Sequence, residues 1–374
     1  MQAFSEPRPA PASPIAEPMT VALVGFGEVG VVHHHAYRNS PAVRLVGVAD
    51  PNPARLALID PADGVPTYAR LEDMLAEQKP QIACVLTPAA THEDVVRACA
   101  QAGAHVLCEK PLALSEASAE AMIAACREAG VKLSYGSSYR HLPAVREARR
   151  LIAEDAIGRV RLLQEQAVGG AGPKAQRPMG PVHYPVGGPG GTGMGLVDHG
   201  VHLIDIFGWL IGDHVRGVFG RGNRTGEPLG VEFLTLTFDG GAVGQLVYDD
   251  GVFPTTLPGE GLFSWGGFWD AAGYHAGGQW AAHPGCIHVH GERGALRIFH
   301  YANALFLNDA DGLRQIPVED RPAPHHFAAQ IEAFVEDIRA DAAPATPAEA
   351  GVEALRVLLA AYESDGRRTV AIPG

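Results

Sequence analysis

An apolar strand, Val21-Ala22-Leu23-Val24, runs directly into Gly25-Phe26-Gly27-Glu28-Val29-Gly30, and a helix-forming stretch follows. Few turns leave a chain so little choice. The first glycine permits a tight reversal, the second lets a ligand come against the backbone, and the third lets helix and strand close on each other. The helix then begins with unpaired N–H groups and the positive end of its dipole facing the turn. A second strand, Leu45–Ala49, ends at Asp50, 20 residues past Gly30, where an acid meets the hydroxyls of a ribose. Strand, glycine turn, helix, strand and acid in this order predict a bound dinucleotide. The carboxylate repels a 2′-phosphate, which predicts NAD rather than NADP. Gly25, Phe26, Gly27, Glu28, Val29, Gly30 and Asp50 form the expected cofactor-binding turn.

From Val21 to about Tyr139, strand-like and helix-like segments alternate. Strands are read at 21–24, 43–49, 82–87, 105–108 and 132–135, with helices at 29–39, 71–77, 91–102 and 115–130 between them. Thr91 and Asp94 have capping-box spacing, and Gly103 and Gly130 stop their helices. Repeated βα units with continuous apolar strands predict a parallel sheet covered on both faces, with ligands outside the carboxyl ends of the strands. That edge holds Thr87, Pro88, His92, Glu109, Lys110 and the segment 136–140. After Pro143 the rhythm changes. A helix to about Glu154 and a strand at 159–167 lead into residues 167–195, which hold ten glycines and five prolines. A helix over 195–211, five strands (215–221, 231–238, 242–249, 286–290, 295–300) and two helices (326–341, 347–364) complete the chain. That order predicts a largely antiparallel second sheet. The expected division is a disordered, proline-rich tail at 1–18, a doubly wound dinucleotide-binding domain at 19–141 and a substrate-binding and assembly domain at 142–374.

At 374 residues the chain has room for two such domains, and its net charge of −13 argues against nucleic acid and anionic membranes as partners. No run of 18 apolar residues is present to span a membrane. Five cysteines, odd in number and without zinc or disulfide spacing, read as free thiols in a reducing cytoplasm. Lysine is scarce: Lys79, Lys110, Lys132 and Lys174 are the four.

Lys110 is the informative one, because it follows the strand 105–108 and points at the cofactor cleft; an isolated lysine is otherwise a solvated one. Asp198, His202 and Asp205 fall at i, i+4 and i+7 of a helix, hence on one face. Asp198 there orients His202 for proton exchange, or the two are simply an ion pair near a helix start. Two zinc readings, His199 with His202 and a carboxylate, or Cys286 with His288 and His290, are weaker, and no metal site is expected. His33-His34-His35 fan around a helix and are read as no site. Arg140, His183, Tyr184, Trp265, Trp269, Tyr274 and His275 are the expected substrate contacts, aromatic rings among glycines being suited to sugar rings or to interfaces.

Taken together, Gly25–Gly30 with His33, Thr87-Pro88 with His92, Glu109-Lys110-Pro111, Ile157-Gly158-Arg159-Val160 and Asp198-x-Gly200-x-His202-x-x-Asp205 resemble the glucose–fructose oxidoreductase/inositol dehydrogenase (Gfo/Idh/MocA) family. The resemblance runs in family order over residues 21–210. It implies an N-terminal Rossmann sheet and a C-terminal α/β domain with a large, open, mostly antiparallel sheet, used to form a dimer or tetramer. It implies Lys110, Asp198 and His202 as the catalytic group, a cis Lys110–Pro111 bond, and NAD-dependent oxidation of a secondary hydroxyl on a sugar, inositol or glycoside. Two other expectations stand beside it: a redox-neutral glycosidase that retains its NAD, and a non-catalytic cofactor-binding protein. The glycine-rich stretch before Asp198 departs from the family pattern and leaves the substrate class open.

Overall fold

The computed structural model describes residues 17–168, 200–222, 232–249, 286–300, 303–321, 325–364 and 366–373. All but two residues of the tail expected at 1–18 lie outside these, as do most of 167–199.

Strands β1 (Met19–Val24), β2 (Val43–Ala49), β3 (Thr67–Tyr68), β4 (Ile82–Val85), β5 (His105–Glu109) and β6 (Leu133–Gly136) form a parallel sheet in the order 3-2-1-4-5-6. This is the doubly wound order, with the chain reversing direction across the sheet between β1 and β4. Side chains alternate between two buried faces, which is why the strands are apolar throughout. Ala22, Val24, Ala83, Val85 and Val106 meet α3 (Leu71–Gln78), α4 (His92–Gln101) and α5 (Glu116–Glu128) through Met74, Val96 and Met122. Val21, Leu23, Ile82, Cys84 and Leu107 face α1 (Glu28–Arg38), and the one-turn helix α2 (Pro53–Leu56) follows β2. One long helix cannot cover that face. The chain supplies a second from far downstream: the helix His326–Arg339 lays Phe327, Ile331, Phe334 and Val335 beside Val32 and Tyr37.

Helix ends follow the local chemistry. Ser115 caps α5 by accepting from the Ser118 N–H at 3.2 Å, and Gly130 ends it at φ +69°. The capping box expected at Thr91 is a correction. Its hydroxyl donates to the Pro88 carbonyl at 2.8 Å and lies 2.9 Å from the Thr87 hydroxyl, and so makes no cap to α4.

Helix α6 (Pro143–Ala153) opens the second half, followed by β7 (Val160–Val168) and α7 (Val201–Ile211). Strands β8 (Val215–Gly222), β9 (Glu232–Phe238), β10 (Val243–Asp249), β11 (Cys286–Gly291), β12 (Gly294–Phe299), β13 (Ala304–Asp309), β14 (Gly312–Ile316) and β15 (Val370–Ala371) complete a nine-stranded sheet in the order 14-13-12-11-7-10-9-8-15. All of its pairs are antiparallel except β7 with β10. One face buries Leu163, Leu234, Leu246, Ile287, Ile298 and Leu307 beneath α6, α7 and the last helix, Ala348–Ser364. With the helix 326–339 as α8 this last one is α9, and it also packs on α5 and β6, so one core joins the two sheets.

Phe334 is 2% exposed at the α8 contact with the first sheet. Phe334→Ala is expected to cost about 3–5 kcal/mol, seen as a lower urea midpoint for loss of the first sheet's signal. An unchanged midpoint would mean that α8 is not part of that cooperative core.

Candidate active site

The three glycines of the first turn are each required for a different reason. A Cβ on Gly25 (φ +95°) would lie 2.9 Å from the Leu86 carbonyl carbon, and one on Gly30 would lie 2.7 Å from the Gly25 oxygen. On Gly27 a Cβ would meet only Arg55 Nη1, at 3.8 Å, so the turn is open there. The N-cap of α1 is Gly27, which has no side chain to cap the first turn. An open cradle over an uncapped helix N-terminus fits a pyrophosphate. Asp50 is buried and braces the turn: Oδ2 accepts from the Phe26 N–H at 2.7 Å and Oδ1 from the Asn52 N–H at 2.8 Å. A carboxylate offers about four lone-pair positions, which leaves capacity for a ribose. Arg55, which the motif did not bring to attention, stands 3.6 Å from Asp50 Oδ2.

Next along the carboxyl edge, Thr87 and Pro88 leave β4 and Glu109-Lys110 leaves β5. His92 is buried. Its Nε2 lies 2.8 Å from the Thr87 carbonyl oxygen and its Nδ1 3.1 Å from that of Leu112, so its contribution to the site runs through the two loops it ties together. Burial lowers its pKa, against the pull of those carbonyls and of Glu109. The Lys110–Pro111 bond is cis. Gly136, paired with Glu109 across β5 and β6, would place a Cβ 2.6 Å from the Glu109 Cα; only glycine lets the two strand ends approach this closely.

The turn after β6 receives α7. Asp205, its side chain 1% exposed, accepts from Arg140 Nε at 2.8 Å and from Arg140 Nη2 at 2.5 Å, and the Ser137 hydroxyl donates to the same carboxylate. One turn earlier on that face, His202 stacks on Tyr139 with ring centroids 4.0 Å apart and planes within 5°. The imidazole therefore packs on the turn that follows β6, the strand paired with β5. Arg140, expected among the substrate contacts, commits two of its nitrogens to Asp205 and lies 5.6 Å from the centre of the Trp209 ring. Asp198, His183, Tyr184, Trp265, Trp269, Tyr274 and His275 lie outside the described residues. Among the described residues no group of three or more His, Cys, Asp and Glu side chains is placed to hold a metal ion.

Further histidines surround Tyr139 and were not singled out by any motif. His300 and His326 have ring centres 5.5 and 6.4 Å from it, and His141 is buried two residues along the chain. Burial, with Arg146 and Arg140 nearby, pushes His141 down to about 3; burial also holds His34 at about 4 against the pull of Asp63.

Comparison with known proteins agrees with this geometry. The family model described as "Oxidoreductase family, NAD-binding Rossmann fold" matches residues 19–137. Its companion, "Oxidoreductase family, C-terminal alpha/beta domain", matches 149–372. The chain belongs to the Gfo/Idh/MocA family of oxidoreductases. It is 31% identical over 201 residues to D-apiose dehydrogenase of Paraburkholderia graminis, covering 52% of this chain and 50% of that one. It is 26% identical over 236 residues to myo-inositol 2-dehydrogenase of Thermotoga maritima, covering 61% and 67%. The crystal structure of an oxidoreductase domain protein from Kribbella flavida superimposes with a TM-score of 0.76 at 23% identity, over 96% of this chain and all of that one. The match to the apiose relative thus spans only half of that protein's length.

Two outcomes follow from the site. Gly27→Ala meets no backbone, so the protein is expected to fold while its affinity for NADH, read by calorimetry, falls at least about tenfold, a loss of about 1.4 kcal/mol. Unchanged affinity would move the pyrophosphate away from this turn. The second concerns acid. A histidine folded with a pKa of about 3 or 4 binds fewer protons than in the unfolded chain, where about 6.5 is usual. The stability it contributes is complete above that value and is lost as pH falls toward 4. The melting temperature should therefore drop between pH 7.5 and 5, and less steeply in His141→Leu. An equally steep fall in that variant would remove His141 from the account.

Proposed function

We propose that the protein is an NAD-dependent dehydrogenase that oxidises a secondary hydroxyl of a sugar, polyol or glycoside, or reduces the matching ketone. The observation that carries this is the order of groups along one sheet edge. The open glycine turn leaves β1, the cis-proline turn with Lys110 leaves β5, and the Tyr139–His202 stack stands at the turn that leaves β6. Names of relatives that act on apiose and inositol support the substrate class.

Gly25–Gly30 and the start of α1 would hold the pyrophosphate, Asp50 the adenosine ribose, and Thr87, Pro88, Glu109 and Lys110 the half nearer the chemistry. Asp50 favours NAD, although Arg55 beside it offers a cation to a 2′-phosphate. When bound, the nicotinamide ring supplies the hydride acceptor. A hydroxyl must lose its proton as its carbon loses hydride, and imidazole is the side chain whose ordinary proton affinity suits that exchange near neutral pH. His202 takes that proton, oriented by Asp198, four residues earlier in the sequence. Lys110 binds the same oxygen and stabilises negative charge on it. His183, Tyr184, Trp265, Trp269, Tyr274 and His275 would complete the sugar pocket.

The same reading takes 19–141 as the cofactor domain and 142–374 as the substrate and assembly domain. It also makes the protein a cytoplasmic homo-oligomer. Five buried free cysteines suit a reducing compartment, and the outward side of the second sheet, with Phe233 41% and Leu313 71% exposed, suits assembly. Among the described residues no helix is long and apolar enough to cross a membrane.

The test is incubation with NAD and a panel of inositols, free sugars and aryl glycosides, following reduced nicotinamide by absorbance. A substrate-dependent rise is expected, with kcat lowered at least about 100-fold in both Lys110→Ala and His202→Ala. A flat trace over the panel, with nicotinamide released only on denaturation, would overturn net oxidation in favour of redox-neutral glycoside cleavage.

A further inference from the structure

A line of hydrogen bonds runs from the middle of the first sheet to Lys110. Glu109, buried at the end of β5, divides its carboxylate: Oε2 accepts the Lys110 backbone N–H at 3.0 Å, and Oε1 lies 3.2 Å from His33 Nε2. His33 is fully buried on α1, with Nδ1 2.8 Å from the Tyr37 hydroxyl, and that oxygen is 3.4 Å from Cys84 Sγ in β4. The Phe327 ring of α8 closes over His33 with centroids 4.7 Å apart. With a neutral imidazole and an ionised carboxylate, one arrangement of protons satisfies the whole line. Cys84 S–H donates to the Tyr37 oxygen, Tyr37 O–H to His33 Nδ1, and His33 Nε2–H to Glu109. Burial keeps Cys84 and Tyr37 protonated, raising the Cys84 thiol to about 12 and Tyr37 well above its usual value.

We propose that His33 is a positioning residue: oriented by Tyr37, it holds Glu109 as an ionised carboxylate against the turn that carries Lys110, and that buried negative charge sets the proton affinity of the Lys110 ammonium. Among the described residues, the titratable groups that face Glu109 are His33 and Tyr37 on α1, Cys84 on β4, His92 on α4, Cys108 on β5 and Tyr135 on β6. Of these, His33 is the one placed to donate to the carboxylate from outside its own turn. A neutral donor leaves the negative charge in place, where a cationic partner would cancel it. Lys110, the next residue along the chain, then lies within reach of that charge. The functional meaning of this rests on Lys110 having the role proposed above.

The measurement needs no substrate. With lysine labelled at the side-chain nitrogen, the full chain shows at most four ammonium signals, and Lys110 is identified by its loss in Lys110→Arg. Glu109→Gln is expected to lower the Lys110 titration midpoint by about one pH unit or more. His33→Leu should lower it in the same direction, and His33→Gln, which keeps one N–H donor, should restore it to within a few tenths of a unit. A merely structural His33 would lower the melting temperature without moving Lys110. An unmoved midpoint in Glu109→Gln, or in folded His33→Leu, overturns the proposal. Should His33→Leu fail to fold, Tyr37→Phe is read instead; a partial shift downward is expected there, and none would be equally fatal. An inactive substrate panel would remove the dehydrogenase reading while leaving this titration standing, so the two failures are distinct.

Discussion

The carboxylate of Asp205 holds the site together. It lies on the helix that opens onto the second sheet, yet it accepts hydrogen bonds from Ser137 and Arg140, in the turn that ends the first. Burying a charge pair gives up hydration on both sides, and the geometry must be good to offset that loss. Here it is bidentate, joined by a hydroxyl, with the Trp209 ring near the Arg140 guanidinium and 4.3 Å from that of Arg149. Removing one partner of such a pair costs about 3–5 kcal/mol. The tie also has a direction: it fixes the rotation of α7 and thereby the face on which His202 lies.

Two further connections make the halves one body. Helix α8 covers the part of the first sheet that α1 leaves open, and α9 packs on β6 and α5 while burying the second sheet's inner face. The glycine turn and His202 come from segments about 170 residues apart, so their relation depends on these packed surfaces rather than on chain continuity. Rigid elements supply what the proposed chemistry needs, side chains held in place before a substrate arrives.

The glycine turn, Asp50 and the alternation of βα units were legible because each is a local demand of backbone geometry: a positive φ at Gly25, a close approach at Gly30, two buried faces on every inner strand. Lys110 and His202 were legible as types at meaningful positions. Other features left weaker traces. Strands β13, β14 and β15 went unread; β14 is an exposed edge with little alternation, and β15 is two residues long. Thr91 has the spacing of a cap, but a nearer carbonyl claimed its hydroxyl. His33 looked like one of three histidines fanned around a helix, and its partner, Glu109, lies 76 residues away.

What the sequence determined by itself is the kind of machine: a dinucleotide turn, a parallel sheet with its ligands at one edge, and residue types suited to moving a proton beside a hydride. Those follow from short-range sterics and periodicity, which a chain carries wherever it is. Tertiary structure decided the assignments. It made Arg140 a joint, gave Asp205 the task of aiming His202, turned a stray histidine into a buried hydrogen-bond donor, and sent a C-terminal helix back to complete the first domain. Each depends on which distant side chain a polar group meets once water has been excluded, and that pairing exists only in the folded molecule.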